Sequence, residues 1–163
     1  LWSMHRRPEV SFRCGYMALA CLARVAPTAA QLNLEPLYAA RSTPEGFSLT
    51  EVTALSREIG LPLRPLRRSP GAEWLVPAVV HWKLGHYAAI VERSGDRFLV
   101  EDPTFGEGRR TLMSAAALEA EASGFFLVSA DTPPPAGWRE VAAPEAAATR
   151  GRGQPGVGDP RRT

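Results

Sequence analysis

Cys14, Cys21, His81, His86 and Asp102 are the residues whose types and spacing could carry chemistry in this chain. Cys14 stands directly before an apolar, helix-forming run that continues to Val25. A thiol at a helix N-terminus feels the positive end of the dipole and the unpaired N–H groups there, which favours the thiolate. Against this, a single Cys is commonly just a small buried hydrophobe. Gly15 weighs on the side of chemistry, because a residue without a side chain lets a substrate backbone approach the sulfur. Cys21 follows seven residues later. On a helix that is ~10 Å of rise, beyond the ~7 Å Cα limit for a disulfide, so the two thiols are not expected to pair and Cys21 reads as packing.

His86 opens an apolar strand after a glycine turn, and Asp102 ends the next strand sixteen positions on. A hairpin at Ser94-Gly95-Asp96 would bring these open ends together and set a carboxylate beside an imidazole. Such a carboxylate fixes the tautomer and stabilises the imidazolium. The plainer alternative is that Asp102-Pro103 initiates a turn and His86 is a satisfied strand histidine. His81 is the competing histidine. Its odd separation from His86 puts the two on opposite faces of a continuous strand, unless the Lys83-Leu84-Gly85 turn reorients them. A zinc site is a poor reading, since no Cys-x-x-Cys or His-x-x-x-His spacing converges. No cofactor is implied. Cys14, His86 and Asp102 have the order and types needed for nucleophilic acyl transfer, in which the thiol attacks, the imidazole moves the proton and the carboxylate orients it.

The elements that must position these groups can be read from pattern. Cys14 to Val25 is apolar nearly all round, as in a buried helix. Leu32 to Ala40 predicts a weaker helix, interrupted by Pro36. Ser48-Leu49-Thr50-Glu51 has capping-box spacing and predicts a helix over 48–59, closed by Gly60. Strands are predicted over 77–82, 86–91 and 97–101, a fourth over 109–112, a short helix capped by Ser114, and a last strand over 124–129. Helices first, then antiparallel strands, predicts an α+β fold.

In these same segments the chain resembles peptidase family C39. The resemblance rests on Cys14-Gly-Tyr-Met-Ala-Leu-Ala-Cys-Leu-Ala, on the stretch from Pro77 to Val91 with its His-Trp and His-Tyr pairs, and on Val-Glu-Asp-Pro-Thr-Phe-Gly106. It covers about residues 8–130. The resemblance implies a papain-like architecture, with N-terminal helices packed on an antiparallel sheet. It also implies a cysteine peptidase that cuts leader or linker segments after small residues of double-glycine type. By this match Cys14 is the nucleophile, His86 the base and acid, and Asp102 the orienting group. Gly15, His81, Trp82 and Gly85 would line the substrate surface. One departure stands out. The family places a glutamine six residues before the nucleophile to complete the oxyanion hole, and here that position is Pro8, which has no N–H. Stand-ins would be the Cys14 amide with His5, Arg7 or Ser11. A domain that binds a leader without cutting it is therefore the alternative, and the same thiol chemistry would also serve a transferase or amidase.

Composition sets the outer limits. The chain has 163 residues and 17.6 kDa, room for one ordinary domain. Residues 132–163 hold 6 Pro and 5 Gly, and the entire net charge of +2 lies there, since residues 1–131 carry 14 basic and 14 acidic groups. The pI near 8.8 therefore marks no basic face, which argues against nucleic acid as a partner. The expected division is a catalytic-type domain over 1–131 and a Pro/Gly/Ala-rich tail or linker over 132–163, disordered apart from a docking Trp138. The longest suggestive apolar run, Trp74 to Trp82, contains Pro77 and falls short of the ~20 residues of a membrane span. A chain opening on Leu1 reads as a module of a larger protein, with a peptide or protein as its substrate.

Overall fold

Helix α1 (Cys14–Val25) forms the axis on which the rest is arranged. The computed structural model describes residues 14–41, 45–103 and 108–151. As its all-round apolar sequence requires, α1 is buried along most of its length, with Leu19 and Ala18 fully enclosed. A 3-10 turn (Ala29–Gln31) and a short α2 (Glu35–Ala39) follow, with Pro36 in the first turn, where its missing N–H costs nothing. The predicted 32–40 helix is thus shortened to its end.

A two-residue strand β1 (Phe47–Ser48) leads into α3 (Leu49–Glu58). The expected capping box is formed: Glu51 N–H donates to Ser48 Oγ at 3.1 Å, and Ser48 N–H donates to Glu51 Oε1 at 3.1 Å.

Among the described residues, seven strands make one antiparallel sheet: β2 (Leu63–Arg68), β3 (Ala78–Trp82), β4 (Tyr87–Ser94), β5 (Arg97–Glu101), β6 (Arg110–Ser114), β7 (Ala122–Ser129) and β8 (Trp138–Glu140). The order is β6-β5-β4-β3-β7-β2-β8, with α4 (Ala115–Glu121) inserted between β6 and β7. Strand alternation splits the core in two. Val79, Tyr87, Ala89 and Leu127 pack toward α1 and α3, whereas Val80, Ala88, Ile90, Phe98 and Phe126 pack on the other face with Leu118 of α4. β2 escapes a reading by pattern because Pro65 and three arginines interrupt it. It survives as a strand because β8 pairs only with Leu66–Arg68, so Pro65 needs no donor on that side.

The expectation of a disordered linker beginning at residue 132 is corrected for residues 138–151. Trp138 is buried, its indole N–H donates to Glu73 O at 2.8 Å, and its ring lies 5.2 Å from that of Phe126. Beyond it come α5 (Ala143–Ala148) and β9 (Arg150–Gly151), and β9 returns to pair antiparallel with β1. The apolar Trp138 and Ala146 supply the burial that an all-polar tail would lack. Residues 152–163 lie outside the described residues. No described helix is long and apolar enough to cross a membrane.

Candidate active site

The β3–β4 connection builds the centre of the site. Gly85 takes φ of +82°, its N–H donates to Trp82 O at 2.9 Å, and Trp82 N–H donates to His86 O at 2.8 Å. A three-residue loop ending in a left-handed glycine fits this hairpin geometry. The turn leaves His81 and Tyr87 as cross-strand partners, with rings 5.1 Å apart, and sets the Trp82 and His86 rings 6.4 Å apart. Thus the turn does not unite the two histidines in one pair of ligands.

The second hairpin closes the distance to the carboxylate. Ser94 pairs with Arg97 across Gly95-Asp96, with Gly95 at φ of +64°. That register delivers Asp102, just past β5, to His86: Nε2 lies 2.8 Å from Asp102 Oδ2. A carboxylate only accepts, so the imidazole proton sits on Nε2. The opposite nitrogen, Nδ1, is buried and makes no hydrogen bond among the described residues. In this tautomer Nδ1 carries the free lone pair, which is the electronic state of a general base. Trp82 Nε1–H donates to the same Asp102 Oδ2 at 3.2 Å. Trp82, expected on the substrate surface, is buried, and its indole N–H is directed at the carboxylate. No spacing rule reveals that bond, because it joins residues twenty positions apart across two hairpins.

Cys14 is the first described residue of α1 and is buried. Its neighbour Gly15 fixes its relation to the sheet. A Cβ at Gly15 would stand 2.8 Å from Val52 Cγ2, 3.3 Å from Phe47 Cβ and 3.3 Å from Tyr87 Cδ2. Only a glycine lets the helix start press this closely on the residue that follows His86. Cys14 is therefore carried to the same end of the sheet as the His86–Asp102 pair, although no hydrogen bond joins it to Nδ1. Cys21, by contrast, is fully enclosed, and burial together with a hydrogen bond to Glu101 pushes its thiol up to about 12. It is a packing residue, and neither thiol is in a disulfide.

His81 is satisfied at both nitrogens. Nε2 lies 2.7 Å from Arg150 O, which can only accept, so Nε2 carries the proton and Nδ1 accepts from Ser123 Oγ at 2.7 Å. Burial lowers its pKa below 6.5, with nearby His86 adding to the effect and the Arg150 carbonyl opposing it. No group of metal-ligating side chains gathers among the described residues. Pro8, with His5, Arg7 and Ser11, lies outside them.

Comparison with known proteins extends this geometry. The model of the peptidase C39 family matches residues 9–133. Among solved structures, the chain is similar to a double glycine motif protease from an AMS/PCAT transporter in complex with the leader peptide. The identity is 21%, the match covers 71% of this chain and 81% of that one, and the TM-score is 0.54. It is similar to the N-terminal peptidase C39 like domain of a toxin secretion ATP-binding protein from Vibrio parahaemolyticus, at 12% identity, 70% and 93% coverage and TM-score 0.56. The peptidase domain of Streptococcus mutans ComA matches at 17% identity, 72% and 90% coverage and TM-score 0.50. At these identities the likeness shows the shared α+β fold. A comparison with curated protein sequences gives no match.

Proposed function

The chain belongs to the peptidase C39 family, and from that premise we propose that it is a cysteine endopeptidase cutting after small residues, of Gly-Gly or Gly-Ala type, in leader or linker segments. Cys14 is the nucleophile, His86 the base and acid, and Asp102 the group that orients His86. The observation that carries this reading is the 2.8 Å His86–Asp102 contact, which leaves a buried, unbonded Nδ1 to act as base.

The steps follow from that tautomer. Nδ1 of His86 takes the thiol proton, and the Cys14 sulfur adds to the scissile carbonyl carbon. Asp102 stabilises the resulting imidazolium through Nε2–H. Nδ1–H then gives its proton to the departing amine, leaving a thioester on Cys14. Water, deprotonated by Nδ1, attacks the thioester and releases the carboxylate product with the thiol restored. The Cys14 amide is one donor to the oxyanion. The second donor expected of the family is a glutamine, and Pro8 stands in its place. Loss of one such donor costs ~10²–10³ in rate, so this chain is proposed as a slow peptidase.

Pro8 also favours a second reading, in which the domain holds a peptide segment without cutting it. Incubation with a peptide containing a Gly-Gly site, followed by mass spectrometry, separates the two. Cleavage that disappears in Cys14→Ala supports the peptidase. Peptide binding with no product over long incubation supports the binder.

A further inference from the structure

The segment that closes the described chain lies against the site. Thr149 O accepts from Leu49 N–H at 2.8 Å and lies 3.4 Å from Tyr87 Oη, whose single proton is shared with the nearer Phe47 O at 3.1 Å. Arg150 O accepts from His81 Nε2–H at 2.7 Å. Arg150 and Gly151 form a two-residue ladder with Ser48 and Phe47. The Leu49 bond and the β1–β9 ladder join main chain to main chain, as when a strand is added to an extended partner, and the His81 side chain adds a bond to the next carbonyl.

Gly151 is pressed into the site by shape alone. A Cβ there would stand 2.5 Å from Tyr87 Cδ2, 2.6 Å from Tyr87 Cε2 and 3.0 Å from His86 Cα. Gly151 has no positive φ, so the need for glycine is one of space and not of backbone conformation. The same atom, Tyr87 Cδ2, is the one that a Cβ at Gly15 would meet. Gly151 therefore abuts the His86 backbone and shares the Tyr87 ring as a neighbour with the residue that follows Cys14. A Cβ at Gly85 would also stand 3.8 Å from Arg150 O. The arginine side chain has its own partners: Nη1 donates to Gly46 O at 3.2 Å and lies 3.5 Å from Glu51 Oε1.

We propose that Phe47–Leu49, His81, Gly85 and Tyr87 form a strand-accepting subsite for extended peptides carrying a basic residue followed by glycine, and that Thr149-Arg150-Gly151 fills this subsite in cis. The proposal rests on the peptidase reading for its place beside the reacting groups. It goes beyond that reading by adding a basic residue to the recognised pattern and by naming the chain's own occupant. Carbonyl-directed bonds from Leu49 and His81 fix the strand, the Tyr87 ring excludes any side chain at the second position, and the Glu51 carboxylate faces the basic residue. An outside peptide must displace the internal segment, so the intact chain takes such peptides weakly.

The test is binding, in a Cys14→Ala background where no bond can be cut, so its outcome is independent of whether the domain is an active peptidase. The probe is a fluorescein-labelled Ala-Ala-Thr-Arg-Gly peptide, followed by anisotropy. Gly151→Val forces the internal glycine away from Tyr87 and is expected to raise affinity for the probe at least tenfold. Arg150→Glu reverses the charge facing Glu51 without adding bulk and is expected to act in the same direction, which keeps the test decisive if Gly151→Val folds poorly. Replacing the probe's glycine with valine should abolish binding, and replacing its arginine with glutamate should weaken it severalfold. Equal affinity of the parent and the Arg150→Glu chain, or indifference to valine in the probe, overturns the proposal.

Discussion

The indole N–H of Trp82 donates to Asp102 Oδ2 at 3.2 Å, and that oxygen is also the one that meets His86 Nε2. Two donors from two elements thus hold one carboxylate oxygen in place. A hydrogen bond to a charged group contributes ~1.5–3 kcal/mol, enough to decide the orientation of a terminal carboxylate. Trp82→Phe keeps the ring and removes the donor. If Trp82 acts by positioning Asp102, kcat on a small-residue peptide should fall about tenfold or more with KM nearly unchanged. A purely structural role would lower the melting temperature and leave the kcat of the folded fraction intact.

The two thiols should differ sharply toward alkylation. Cys14 begins the helix whose next residue, Gly15, abuts Tyr87, the residue after His86, whereas Cys21 is enclosed, with its thiol pushed up to about 12. Iodoacetamide at pH 5–9, read by peptide mass mapping, should give one adduct, on Cys14. Cys14→Ala should abolish it, and His86→Ala should slow it, most visibly at acidic pH where an unaided thiol is protonated. Similar slow labelling of both cysteines would remove the case for an activated thiolate.

Much of this site was legible because its signals are local. Ser48 and Glu51 lie one helical turn apart, the glycine turns precede and divide the strands, and Cys14 abuts an apolar run, so each could be read within a short window. The His86–Asp102 contact was also within reach, since hairpin register converts sequence spacing into distance. What escaped depends on chain closure. Trp82 and Asp102 meet because two hairpins share β4 in one sheet, and Thr149–Gly151 pairs with β1 in a tail that Trp138 also ties to Glu73 and Phe126. Proline and glycine content marked that tail as unstructured, because composition cannot register a single large aromatic finding a pocket.

The buried His81 should make stability depend on mild acid. Its folded pKa is lowered below 6.5, chiefly by burial, so on acidification the unfolded chain takes the proton first. The contribution of neutral His81 to stability is therefore fully present above about pH 6.5 and is lost progressively below it, until the folded pKa is passed. Urea midpoints at pH 7.5 and 5.5 should fall further for the parent than for His81→Gln, which cannot titrate. Identical falls in both chains would show that other groups carry the acid sensitivity.

Gly15 is the position where stability and chemistry are most tightly joined. An alanine methyl there would stand 2.8 Å from Val52 Cγ2 and 3.3 Å from both Phe47 Cβ and Tyr87 Cδ2. Val52 is β-branched, fully buried and on α3, so its rotamer offers little relief. The start of α1 must instead move away from Tyr87, at a cost of ~1–3 kcal/mol of the kind overpacking imposes. That displacement also carries Cys14 away from His86, and small errors of placement at a reacting centre can cost ~10²-fold in rate. Gly15→Ala should therefore lower both the denaturation midpoint and kcat/KM. Val52→Ala removes the closest obstructing atom, so the double variant should recover part of both losses, giving a favourable coupling in a double-mutant cycle. Additive losses would mean that the crowding at Val52 does not set the position of Cys14.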